Sequence, residues 1–132
     1  MQDKKTALAE LSNYLKELHR KRAEKSPPPW VLSLKGNLDQ YYTEDLQVKD
    51  LAKDIGKHPV HVARTFKAYF GIDIKKYLQQ LRLHHASTKI IEGQQNLTRI
   101  TYETGFYDQS HFSRSFKKST EITPRAAAKL FS

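Results

Sequence analysis

Two arginines occupy matching places in an internal repeat. Val62-Ala63-Arg64-Thr65-Phe66-Lys67 recurs as Phe112-Ser113-Arg114-Ser115-Phe116-Lys117. The first copy is preceded by Val48-x-x-Leu51-Ala52 and Gly56, the second by Leu97-x-x-Ile100-Thr101 and Gly105. The offset is 49 residues up to the glycine and 50 after it, so the second turn is longer by one residue. A guanidinium is always charged and presents a planar fork of N–H donors, which suits bidentate bonding to phosphate or to the O6/N7 edge of guanine. On a helix the phenylalanine two residues on falls on the opposite face, so each arginine rides on the polar side of an amphipathic segment. A glutamine amide matches the N6/N7 edge of adenine, and Val60 is apolar enough to meet a thymine methyl.

Other chemistries find few residues to carry them. His58 and His61 are three apart and His84 and His85 adjacent, but carboxylate or thiolate partners at ligand spacing are missing, which argues against a metal site. His58 reads instead as a helix N-cap, and His61 and His111 as facing DNA or solvent. No catalytic triad, metal set or glycine-rich phosphate loop is present, so neither an enzyme nor a cofactor is expected. The chain has no cysteine, which removes disulfides and thiolate chemistry and fits a reducing compartment. A formal net charge of +9 and a pI near 9.7 call for a polyanionic partner, nucleic acid first and an acidic membrane surface second. No apolar run approaches the ~18 residues of a membrane span, and the start lacks the apolar core of a secretory signal. A soluble, cytoplasmic protein with no membrane partner is the expectation.

The elements that must position these residues are all helical. Leu8, Leu11, Leu15 and Leu18 form one stripe on a charged segment from about residue 3 to 25. That stripe fits either a helix lying on another domain or a homodimer contact through residues 1–25. Ser26-Pro27-Pro28-Pro29 breaks it and starts a new helix at Pro29, because proline cannot donate an amide proton but suits the first helical turn. Helical spacing continues through Val31, Leu34, Leu38 and Tyr41/Tyr42, with Trp30 and both tyrosines expected in the core. Short helices follow at about 46–56 and 59–70. A long one spans about 74–92, capped by Asp73, with Tyr77, Leu78, Leu81, Leu83, Ile90 and Ile91 apolar. Asn96, Asp108 and Thr123-Pro124 signal three further helix starts.

Each repeat copy is thus a short helix, a glycine-bearing turn and a second helix: the helix-turn-helix pattern. The small residue at Ala52 lets the two helices approach, and the glycine supplies the left-handed backbone of the turn. The helix between the copies is about 19 residues long, or roughly 28 Å. Successive major-groove segments on one DNA face lie about 34 Å apart. The chain can therefore present two recognition helices to one face of a duplex.

These residues closely resemble the AraC/XylS family of transcription regulators, from about Trp30 to Lys129. The most specific stretch is Gly105-Phe106-Tyr107-Asp108-Gln109-Ser110-His111-Phe112-Ser113-Arg114-Ser115-Phe116-Lys117-Lys118 with Thr123-Pro124-Arg125. Gly56-Lys57-His58-Pro59-Val60-His61-Val62-Ala63-Arg64 and Tyr77-Leu78-x-x-Leu81-Arg82-Leu83 are similar to the family's first unit and linker helix. The resemblance implies an all-α, homeodomain-like fold of two tandem units. The first unit would span about 30–72, the linker helix 74–92 and the second unit 96–132, behind a 26–29 hinge and a 1–25 helix. It places base readers at Val60, His61, Ala63 and Arg64 and at Gln109, Ser110, His111, Ser113 and Arg114. Lys67, Lys117 and Lys118 are candidates for phosphate contact. Three departures from the family pattern stand out: Glu121 where glycine is usual, Ala127-Ala128 where a Tyr-Arg pair is usual, and Thr101 in place of alanine.

The resemblance also implies partners. Double-stranded DNA comes first and RNA polymerase second, with an effector acting through an N-terminal domain absent from this sequence. The chain reads either as a stand-alone short regulator or, on the leucine-striped helix and proline hinge, as a fragment whose residues 1–25 end a missing effector or dimerisation domain. Some relatives fuse the fold to cysteine-based alkyl transfer, which a chain without cysteine cannot perform. A helical bundle for protein partners and an RNA-binding protein are the rival readings. The first would show no steep salt dependence on DNA, and the second would meet an A-form major groove closed to helices.

Overall fold

The computed structural model describes the backbone of residues 2–24 and 26–132, and the side chains of 4–17 and 26–132. Among the described residues there are eight helices and no strand: α1 (Gln2–Glu24), α2 (Pro29–Tyr41), α3 (Val48–Ile55), α4 (Pro59–Phe70), α5 (Ile74–Ile91), α6 (Leu97–Glu103), α7 (Gln109–Thr120) and α8 (Pro124–Leu130).

Side-chain caps start five of these helices. A helix leaves its first N–H groups without partners, and a polar side chain just before it can accept one. His58 accepts from the Val60 amide, Asp73 from Lys76, Asn96 from Arg99, Asp108 from His111 and Thr123 from Ala126. Proline at the first turn of α2, α4 and α8 costs nothing, since its missing N–H had no partner to lose.

The apolar residues separate into two cores. Leu34, Leu38, Leu51, Ala52, Val62, Phe66, Ile74 and Leu78 form the first, and Ala86, Ile90, Ile100, Phe106, Phe112, Phe116, Ala127 and Ala128 the second. Helix α5 belongs to both, with Ile74 and Leu78 at one end and Ala86 and Ile90 at the other. The small residue at the helix crossing is fully buried in the first unit, as Ala52. Its counterpart Thr101 is also buried, and its hydroxyl donates to the Leu97 carbonyl at 2.7 Å. That local bond removes the cost of burying a hydroxyl where the first unit has a methyl.

Several expectations need correction. Helix α3 begins at Val48 rather than near 46, because Leu46 and Gln47 belong to an extended approach in which Gln47 serves as N-cap. Tyr41 is exposed and not core; it is the last residue of α2 and turns away from the first cluster. Ile91 is 59 % exposed, since α5 has already turned its apolar face past it at Ile90. On α1, Leu8, Leu11 and Leu15 are all exposed. Leu18 lies outside the described side chains.

Candidate nucleic-acid interface

Each candidate reader helix is held from beneath by two aromatic or branched residues one turn apart. In α4 these are Val62 and Phe66, both fully buried; in α7 they are Phe112 and Phe116. Phe66 packs on Phe70 and edge-on against Tyr77, and Phe112 packs on Phe106 and Phe116. With the inner face fixed, helical periodicity turns the intervening residues outward. Val60, His61, Arg64 and Lys67 are exposed on α4, and Ala63 is half-buried. Gln109, Ser110, Arg114, Lys117 and Lys118 are exposed on α7, and His111 and Ser113 are half-buried. Arg64 and Arg114 thus stand at equivalent places on equivalent helices, and neither has a hydrogen-bond or ion-pair partner among the described residues.

The two faces differ in detail. In α4 the imidazole of His58 is committed to the helix start, with its Nδ1 accepting from Val60 at 3.2 Å. His61 lies against Trp30, ring centroids 5.7 Å apart. In α7 Gln109 is tied back to α6, because the Thr98 hydroxyl donates to its Oε1 at 3.2 Å. The Gln109 amide nitrogen has no partner among the described residues. His111 is less outward than its expected role requires. Its ring packs edge-on against Phe106 at 5.6 Å, and its Nδ1 is buried with no partner among the described residues.

A basic groove of about 450 Å³ runs between α5 and α7 and joins residues that periodicity alone did not connect. Lys75, Lys76, Gln79 and Gln80 line it from α5, and Ser115, Lys118 and Ser119 from α7. The Gln79 amide donates to the Ser115 hydroxyl at 3.1 Å across its floor. Asp73 is the acidic residue in the lining, and its carboxylate is engaged as the α5 cap. Lys118 lies one turn beyond Arg114, which aligns the groove with the flank of the candidate α7 face. Sequence reading singles out Lys118 but not Lys75 or Lys76, whose only signal is two adjacent lysines at a helix start. Among the described residues no group of His, Asp and Glu could hold a metal ion, and no helix is long and apolar enough to cross a membrane.

Known proteins share this arrangement. The profile of the family described as a helix-turn-helix domain matches residues 51–129, more than half of the chain. The chain belongs to the AraC-type helix-turn-helix family. As a member of that family it is a DNA-binding domain of transcription-regulator type. It is 34% identical over 102 residues to the bifunctional transcriptional activator/DNA repair enzyme AdaA of Bacillus subtilis, covering 76% of this chain and 48% of that protein. The chain therefore spans about half the length of this relative. A transcriptional regulator from Chromobacterium violaceum, described as an AraC-type DNA-binding domain-containing protein, superimposes with a TM-score of 0.69 at 26% identity, covering 79% of this chain and 93% of that one. The DNA-binding domain of AdpA, determined with a target DNA, gives a TM-score of 0.72 at 15% identity over 81% and 94% of the two chains, a likeness of fold. The AraC-type family has the two-unit, all-helical architecture seen here.

Proposed function

We propose that this AraC-type domain binds double-stranded DNA by sequence, inserting α4 and α7 into successive major-groove segments on one face of the duplex. The observation that carries the proposal is the equivalence of the two helices. Each is locked from beneath by buried apolar residues and offers one unpaired arginine, Arg64 or Arg114, on its outer side. Helix α5 between them has 18 residues, or about 27 Å at 1.5 Å per residue, against about 34 Å for one turn of B-DNA. Val60, His61, Ala63 and Arg64 form the first reader. Gln109, Ser110, Ser113 and Arg114 form the second, with His111 as a partly inward member. Arg64 and Arg114 suit guanine, and the free amide nitrogen of Gln109 limits it to one hydrogen bond with a base. Lys67, Lys117 and Lys118 reach phosphates, and Lys75 and Lys76 extend that grip along the groove.

The chain acts as a binding module in a cytoplasmic regulator rather than as an enzyme. It carries no cysteine to accept an alkyl group. The exposed Leu8, Leu11 and Leu15 of α1 are a stripe for self-association or interdomain packing. RNA polymerase and an effector are the further partners that a regulator of this type engages through surfaces beyond the two readers.

Selection of binding sites from a randomised duplex pool tests the central reading, followed by titration of the winner at several salt concentrations. Two short sequence blocks one helical turn apart, with a steep fall of affinity in log salt, are expected. Recovery of a single block would refute the two-reader reading, and shapeless enrichment with no salt slope would refute DNA recognition itself.

A further inference from the structure

The two units meet through more than their shared helix. The turn after α2, residues 42–44 of the first unit, lies over the middle of α5, in the stretch between Leu78 of the first core and Ala86 of the second. Three contacts hold it there. The Arg82 guanidinium donates from Nε to the Tyr42 carbonyl at 2.8 Å and from Nη2 to the Glu44 carbonyl at 3.0 Å. The Tyr42 ring stacks on His85 with centroids 4.2 Å apart and planes 4° from parallel. Thr43 presses its backbone on Gly105, the turn glycine of the second unit. A Cβ built at Gly105 would come within 2.6 Å of the Thr43 Cα and 2.8 Å of its carbonyl oxygen. Gly105 also has φ +82°, so any side chain there would be strained on two counts.

Arg82 directs two donors at main-chain carbonyls of the first unit. It is also buried enough that desolvation pulls its pKa down, against the opposing pull of Asp45. Such a fork fixes the distance and the angle of the turn relative to α5, which a single hydrogen bond would not.

We propose that this latch, made of Arg82, His85 and Gly105 gripping the 42–44 turn, determines the half-site spacing that the protein accepts. The proposal rests on the two-reader reading. One added base pair moves a half-site by about 3.4 Å and rotates it by about 34° around the axis. A rigid pair of readers cannot follow that displacement without giving up one set of base contacts. A pair joined by α5 alone could bend between residues 78 and 86, where the latch now holds.

The test uses duplexes carrying both selected blocks, with the spacer between them lengthened or shortened by one or two base pairs. Anisotropy titrations would compare the full chain with Arg82→Met, Arg82→Lys and His85→Ala. Arg82→Met keeps the aliphatic stem but no donor, and Arg82→Lys restores one donor without the fork. Circular dichroism and thermal melts verify that each variant is folded. For the native chain, a one-base-pair change should cost at least about tenfold in affinity. For Arg82→Met and His85→Ala the same change should cost no more than about threefold, while binding to the optimal spacer falls less than about tenfold. Arg82→Lys should lie between. Equal spacing discrimination in native chain and folded variants would overturn the latch while leaving two-block recognition intact. Failure of the native chain to need both blocks would instead sink the two-reader reading. If Arg82→Met does not fold, His85→Ala still decides, because its side chain is only partly buried and its ring contacts are with Tyr42 and His84.

Discussion

The internal repeat contains its own experiment in backbone strain. Helix α4 ends at Gly71 with φ +79°, and α7 ends fifty residues later at Glu121 with φ +69°. Both accept the same left-handed closure, with the cap amide donating to the carbonyl of Lys67 or Lys117. Glu121 is the one non-glycine residue with positive φ among those described. Its side chain is exposed, so Glu121→Gly removes no packing. The substitution relieves about 1–2 kcal/mol of left-handed strain. It returns roughly 0.4–1 kcal/mol through the greater freedom of glycine in the unfolded chain. Taking a carboxylate away from the negative end of a helix adds a few tenths, on the order of 0.3 kcal/mol. The net gain is about 1 kcal/mol, or roughly 3–5 °C in Tm for a domain of this size. Thermal and urea melts of Glu121→Gly, Glu121→Ala and Gly71→Glu measure it. Glu121→Ala keeps the strain and should recover only the small charge contribution. Gly71→Glu should lose about as much as Glu121→Gly gains, because a Cβ at Gly71 meets open space and the cost is backbone alone. A Tm for Glu121→Gly at or below that of the native chain would refute the reasoning, as would a neutral Gly71→Glu.

Other perturbations separate reading from gripping and from folding. Arg114→Ala should weaken specific binding by about 1–3 kcal/mol and relax preference at one base position with helix content intact; an unchanged selected motif counts against α7 as a reader. Replacing Lys75 and Lys76 by alanine should lower affinity evenly across sequences and flatten the log–log salt slope by about one for each phosphate no longer neutralised. A slope identical to the native one would remove the groove from the interface. Phe112→Ala empties the centre of the second core and should cost about 3–5 kcal/mol, read as a large fall in urea midpoint. Burial, then the charges of His84 and Lys89, hold the His85 imidazole below its ordinary value of 6.5. The folded state therefore resists a proton that the unfolded chain takes up. Stability should be complete above about pH 6.5 and decline as pH falls through the lowered folded pKa. His85→Gln should flatten that decline, and an equally pH-dependent variant would assign it elsewhere.

Acid stability draws on carboxylates as well. Lys89 and Arg99 both pair with Glu103, at 2.8 and 2.7 Å, and hold its carboxyl below the usual range. Asp39 is also lowered: burial opposes ionisation, but hydrogen bonds from Tyr77 and Lys35 outweigh it. Both contributions are present above the unfolded carboxylate pKa near 4 and vanish as pH falls through the folded values. The Asp39 group joins α2 to α5, so its loss opens the first unit, whereas Glu103 links α5 to α6 in the second.

The parts legible in the sequence are those governed by local rules. Pro59 with Gly71 bounds α4, and Asp73, Asn96, Asp108 and Thr123 mark four helix starts, because capping and proline geometry act within a few residues. Periodicity alone assigns Phe66 and Phe116 to the underside. It misplaces Tyr41, because Tyr41 and Tyr42 are adjacent and only one can face α5; nothing local says which. The stack of Tyr42 on His85, the fork of Arg82 and the press of Thr43 on Gly105 join residues about forty or more apart in the chain, with no periodic signal. Lys75 and Lys76 form a groove only because α7 crosses α5 at Ser115, a residue that the repeat makes equivalent to Thr65 but tertiary packing makes different.

The shared helix makes each half dependent on the other in folding. Ile74 and Leu78 serve one core, Ala86 and Ile90 the other, so melting either half strips the remaining half of one wall. Neither copy of the duplicated pattern is then a self-sufficient building block, although each reads as one. Amide exchange should be slowest along α5, and excising the second copy should loosen the first despite leaving every residue of its motif in place. A recombinant that exchanges readers between relatives would have to carry half of this beam with each, cutting within α5 rather than in the loops where module boundaries are usually sought.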